Sequence, residues 1–330
     1  MRNSSIELYR IIATFLVLYV HFNGWFLGGG EMNNTQAFIV SLCSICVNCF
    51  LVISGFFGIK LKVNSIINII SITFTAYIIN AFLGIFFSNY SFFTFLKSIS
   101  LSKESYYFQC YLMLVILSPI LNSFIDKYKK NILPLVFVLF VTEFYIGWIR
   151  GNNCLGYNNG YGLTHFISMY LYGRTLYLFG EKSITKCRFL HLFILLTFSI
   201  LGIYIMYMFL GAEKSFSYLN PLNILASFTL FSIFVKIKFN NKIVNYLSSS
   251  VFMVYMLHVC TPLKTWLSEF AQNLFNESSY SSYLMHISAF IIVYFIIAIF
   301  IDKGRQFVFK PIIIKFTNFI ESYKKKISYE

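Results

Sequence analysis

Arg10 and His21 interrupt LYRIIATFLVLYVHF, residues 8–22, an otherwise apolar run in which either side chain is costly. At about 100° and 1.5 Å per residue, eleven helical steps cover three turns plus roughly 20° and about 16 Å, so both side chains share one face. Glu7, Thr14 and Leu18 continue that stripe, and Glu7 can pair with Arg10 one turn away. A guanidinium offers paired donors to an anion. A neutral imidazole is a general base, most effective when a partner fixes its tautomer.

Other apolar runs carry matching groups. Glu143 in VTEFYIGW and His258 in VYMLHV fall near the level of His21, and Arg174 in YLYGRTLYLFG falls near the level of Arg10. Lys60 and Lys62 follow FLVISGFFG, where Ser54, Gly55 and Gly58 let a neighbouring helix or ligand approach closely. Two layers emerge. His21, Glu143 and His258 suit proton transfer, with Glu143 assisting His21; Arg10, Arg174, Lys60 and Lys62 suit binding of an anion such as a phosphate. Structural roles stand beside these: snorkelling for Arg10, a packing hydrogen bond for His21, neutralisation of Glu143, charge topology for the lysines and helix packing for the glycines.

The elements that must position these groups are membrane helices. The chain has 330 residues, 58% hydrophobic and 12% charged, with a mean hydropathy of +0.71. No soluble domain of this size hides so much apolar surface. Apolar runs predict an all-α bundle of about ten spans, near 6–27, 36–58, 65–87, 108–125, 131–149, 162–180, 189–210, 220–235, 245–262 and 284–301. The first run is read as a retained span, because MRNSSIEL precedes a stretch too long for a cleaved signal. No repeat or linker divides the chain, so residues 1–305 read as one transmembrane domain and 306–330 as a basic cytoplasmic tail.

The net charge of +14 lies in short clusters between apolar runs, which points to topology and away from nucleic acid. Nineteen Lys and Arg fall in alternate segments that include both ends, among them Arg2, Lys130 and the seven from Lys303 onward. Five fall in the opposite segments: Lys97, Lys103, Arg150, Lys214 and Lys264. The expected orientation is therefore N-in and C-in. The seven cysteines, Cys154 included, sit mostly in apolar runs, and Cys43, Cys46 and Cys49 read as small packing residues on one helix rather than a metal site.

Taken together these residues resemble the acyltransferase 3 family of bacterial membrane O-acyltransferases. The carriers are ELYRIIATFLVLYVH, with the family's Arg, ten residues, His pattern; FLVISGFFG, similar to its Ser-Gly-x-x-Gly turn; and SSVFMVYMLHV, similar to its late Tyr-Leu-x-His segment. YYFQCYLMLVILSPILN and HFISMYLYGRTL are weaker likenesses. The resemblance implies a bacterial inner-membrane enzyme that moves an acyl group, usually acetyl from acetyl-CoA, to a hydroxyl of a surface or lipid-linked polysaccharide such as capsule. It also implies a catalytic role for His21, a donor-site role for Arg10, and no metal. Lys60 and Lys62 stand where the family often has two arginines, keeping the charge without the planar fork. Membrane lipid and a glycan acceptor are the expected partners. A polysaccharide polymerase or flippase is the alternative within the same pathway, and a membrane sensor or scaffold the alternative outside it.

Overall fold

A computed structural model describes residues 3–29, 31–88, 91, 93, 105–151, 153 and 155–327. Arg2, Lys97, Lys103 and Cys154 lie outside the described residues, as do the side chains of Lys130 and Lys324 to Lys326.

Helices occupy all ten expected places, and no strand occurs among the described residues. They are α1 (Ser4–Asn23), α2 (Asn34–Phe57), α3 (Val63–Ser88), α4 (Tyr106–Lys127), α5 (Ile132–Ile149), α6 (Leu163–Thr175), α7 (Phe189–Ser215), α8 (Pro221–Lys236) and α9 (Lys242–Val259). Two more follow, α10 (Leu263–Glu277) and α11 (Tyr280–Ile327). Local chemistry sets their ends. Asn3, Asn33, Asn220 and Asn241 each cap a helix by accepting a backbone N–H of the first turn. Gly58, at φ +72°, ends α2 in a conformation that a side chain resists.

Seven of these segments are long and apolar enough to cross a membrane unaided. The other expected spans have physical reasons to fall short. α8 has only 16 residues, α9 meets α10 at a bend of 78°, and α6 carries buried His165, Ser168, Tyr170 and Tyr172. These helices are shielded by protein, where polarity is tolerated. Burial orders the layers accordingly: 72% of the most apolar stretch of α2 is buried, against 17% for α7.

Two differences from the expected layout stand out. α10 lies in a segment assigned to no span, and its charged residues keep it from reading as one. α11 continues past residue 301 as one helix to Ile327, and Arg305, expected at the start of the tail charge, is buried against Asp302, Asn68 and Ser71.

Close backbone approach fixes the centre. A Cβ on Gly55 would stand 2.4 Å from the Tyr170 carbonyl oxygen and 2.9 Å from the Gly173 Cα, so α2 and α6 cross where neither carries a side chain. α1 and α9 run side by side in the same direction. Ser248 donates to Glu7 Oε2 at 2.6 Å near one end, and His21 meets His258 near the other.

Candidate active site

His21 occupies the last turn of α1 and His258 the last turn of α9. His21 Nδ1 lies 2.8 Å from His258 Nε2, and His258 Nδ1 lies 2.9 Å from the Val254 carbonyl. A carbonyl only accepts, so His258 Nδ1 carries its proton and, in the neutral ring, Nε2 accepts from His21 Nδ1–H. The tautomer of His21 follows: its Nε2 holds a lone pair. No hydrogen bond occupies that nitrogen among the described residues. Aromatic edges hold both rings. Trp25 meets His21 at 4.8 Å, and Tyr255 and Tyr294 stand nearly perpendicular to His258.

His21 lines a cavity of about 480 Å³ walled by Trp25, Tyr106, Tyr161, Tyr218 and Tyr255. A second cavity of about 410 Å³ holds Arg10, Thr14, Ser54, Asn68, Tyr107 and Tyr111. Val17, Val47 and Tyr255 line both, so the histidine cavity and the arginine cavity adjoin along a shared wall. A smaller cavity of about 190 Å³ extends from Arg10 and Ser54 to Gly58 and Lys60. Polar groups and space thus run from Lys60 past Arg10 to His21.

Arg10 Nη1 is held by both oxygens of Glu7, at 3.2 and 3.3 Å, as the helical spacing predicts. Ser248 fixes the same carboxylate at 2.6 Å. The guanidinium therefore has a set position on the wall of two cavities.

The remaining expected residues divide. Glu143 does not stand with His21. It is buried on α5 against His165 Nδ1, and its other oxygen accepts from Tyr172 at 2.6 Å. His165 Nε2 continues to Asn48 Oδ1 at 2.8 Å. The chain Asn48, His165, Glu143 and Tyr172 ties α2, α5 and α6 together away from both larger cavities. The sequence reading put Glu143 near the level of His21, but α5 packs on α6, which turns the carboxylate toward His165. His258, read with His21 in the proton-transfer layer, is its direct hydrogen-bond partner.

Arg174 donates to the Phe56 carbonyl at 3.4 Å and lies over the Tyr177 ring at 4.8 Å, which places it at the C-terminal end of α2 and outside the three cavities. A cation there is favoured by the helix dipole. Lys60 borders the smallest cavity, whereas Lys62 is exposed and borders none of the three. Ser54 lines two cavities while donating to the Phe50 carbonyl at 3.0 Å, Gly55 allows the helix crossing, and Gly58 makes the turn. That turn is pinned by residues outside the motif. Ile59 N–H donates to Tyr170 Oη at 3.1 Å, Tyr170 donates to Asn122 at 2.6 Å, and Asn122 donates to the Ile59 carbonyl at 2.8 Å.

Sequence reasoning missed His165 and Tyr255. The signal for His165 is its spacing from Tyr172, two helical turns apart on one face. Cys43, Cys46 and Cys49 are free thiols buried in the core around α2.

A family model described as an acyltransferase domain matches residues 3–314. No curated protein and no solved structure matches the chain.

Proposed function

Because the chain belongs to the acyltransferase 3 family, we propose that it transfers an acetyl group from acetyl-CoA to a hydroxyl of a surface or lipid-linked polysaccharide, in a bacterial inner membrane. The observation that carries this reading is the shared wall of two cavities, with Arg10 on one side and His21 on the other. The donor enters past Lys60 and Arg10, whose charges face its phosphates. The acceptor enters through the histidine cavity, whose Trp25, Tyr106, Tyr161 and Tyr218 offer flat faces to sugar rings. The distribution of Lys and Arg supports an orientation in which the Arg10 side faces the cytoplasm, where acetyl-CoA is found.

His21 Nε2 takes the proton of the acceptor hydroxyl as its oxygen attacks the thioester carbon. His258 holds the other nitrogen and shares the positive charge through the N–H···N bond. When the C–S bond breaks, the sulfur receives that proton, leaving an ester and a free thiol with His21 restored. Arg174 and Lys62 have no place on this route, and Glu143 supports the bundle.

The test is mass spectrometry of surface glycans from cells with and without the gene. Loss of acetate at unchanged polymer length is the expected result. A change in polymer length with acetate retained would instead indicate a polymerase or flippase.

A further inference from the structure

Asn68 on α3 lines the arginine cavity with Arg10, and Ser65, one turn earlier, lines both that cavity and the smaller one at Lys60. An amide in a membrane helix is costly unless it is used. One half of this amide is taken by Arg305 of α11, whose Nη1 donates to Asn68 Oδ1 at 3.1 Å and to Ser71 Oγ at 2.7 Å. A guanidinium only donates, so the amide oxygen faces Arg305 and Nδ2 is the group left over. Arg305 is itself held through Nε by Asp302 at 2.7 Å, and Gln306 donates to the other oxygen of Asp302 at 2.6 Å. Both members of the ion pair are buried. A buried ion pair contributes little over apolar side chains of the same volume, so what it adds here is a fixed amide. Asn68 is only partly buried, and its Nδ2 is accessible and takes part in no hydrogen bond among the described residues.

We infer that Asn68 binds the acyl donor, its Nδ2–H donating to a phosphate oxygen, and that Arg305 is a positioning residue that fixes which end of the amide is free. The inference deepens the proposed acyl transfer and rests on it. Arg10 and Lys60 supply positive charge at this end of the route, and a neutral amide adds direction without another cation to desolvate. The two carboxylates nearby are each paired with an arginine, Glu7 with Arg10 and Asp302 with Arg305.

The experiment measures binding of coenzyme A, and separately of inorganic pyrophosphate, to the purified full-length protein in maltoside micelles, which contain no phosphate. Thermal unfolding is followed in parallel. Asn68→Asp is the decisive variant, because it keeps an oxygen for Arg305, removes the donor and presents a negative charge. Its melting temperature is expected near wild type. The Kd for coenzyme A should rise by about 10- to 100-fold in Asn68→Ala and at least as much in Asn68→Asp, with pyrophosphate weakened by a similar factor. Arg305→Lys should weaken coenzyme A binding in the wild-type background and add nothing in Asn68→Ala. A Kd within about threefold of wild type in Asn68→Asp would overturn the role, as would unchanged pyrophosphate binding or loss of fold in both Asn68 variants. An equal effect of Arg305→Lys in both backgrounds would remove the positioning role. Asn68-dependent binding of pyrophosphate without binding of coenzyme A would overturn the donor as the source of the phosphate and point to a lipid headgroup. Asn68-dependent binding of coenzyme A without thiol release from acetyl-CoA in membrane vesicles would overturn the acyl-transfer reading and leave the phosphate contact standing.

Discussion

His21 Nδ1 stands 2.8 Å from His258 Nε2, while His258 Nδ1 is committed to the Val254 carbonyl at 2.9 Å. The backbone of α9 thus dictates, through two rings, which nitrogen of His21 is basic. A histidine serves here where a carboxylate often orients a catalytic imidazole, and no formal charge is added to the bundle interior.

Removing that orientation has a specific cost. His258→Ala is expected to lower kcat by about 10²- to 10⁴-fold, the range associated with losing a correctly oriented general base. Donor KM should change little. His258→Gln, whose amide oxygen can accept from His21 Nδ1–H, should recover part of the rate. Steady-state kinetics decide it: equal kcat for His258→Ala and wild type would remove His258 from the mechanism.

In the proposed transfer, Arg10 acts on donor affinity. Arg10→Ala is expected to raise the KM for acetyl-CoA by about 10- to 100-fold, the equivalent of a charge-assisted hydrogen bond worth about 1.5–3 kcal/mol. Arg10→Lys should fall between, because the charge survives and the fork does not. Lys62→Ala should leave KM unchanged, since Lys62 is exposed and outside the cavities. A larger KM effect at Lys62 than at Arg10 would contradict the proposed donor route.

Glu143 and His165 are expected to matter for stability. Each is buried, and each leaves the other without its main partner when truncated. Glu143→Ala and His165→Ala should each cost about 3–5 kcal/mol. The double variant should cost clearly less than their sum, because the pair is one unit. Thermal unfolding in detergent measures this, with turnover per folded molecule expected near wild type. Lost turnover at unchanged stability would return Glu143 to the catalytic site.

The contrast between Arg10 and Glu143 shows where sequence is informative. Within one helix, 3.6-residue geometry fixes both depth and direction, and the Glu7, Arg10 and His21 stripe was legible for that reason. Between helices only depth can be read, through the membrane spans. Glu143 and His258 were both placed near His21 in depth, but only the packing of α9 on α1 and of α5 on α6 decides which one reaches it. Arg174 has the same history, since the close crossing at Gly55 and Gly173 sets it on the end of α2. Most of the bundle was visible as apolar runs, whereas α10 was not, because its apolar face alternates with charged and polar side chains.

The crossing of α2 and α6 is testable on its own. Gly55→Ala places a methyl 2.4 Å from the Tyr170 carbonyl oxygen, a distance that requires backbone movement. Overpacking of this kind is expected to cost about 1–3 kcal/mol. It should also raise the donor KM, because Tyr170 holds the Ile59 turn beside Lys60. An unchanged melting temperature in Gly55→Ala would show that the helices separate freely at this point.

The role of His21 itself is tested most directly by the acetate content of surface glycans in cells that carry His21→Ala in place of the wild-type gene, measured by mass spectrometry alongside the amount of protein in the membrane. Acetate is expected to fall to the level of cells lacking the gene while the protein accumulates normally. Wild-type acetate in that variant would contradict His21 as the base.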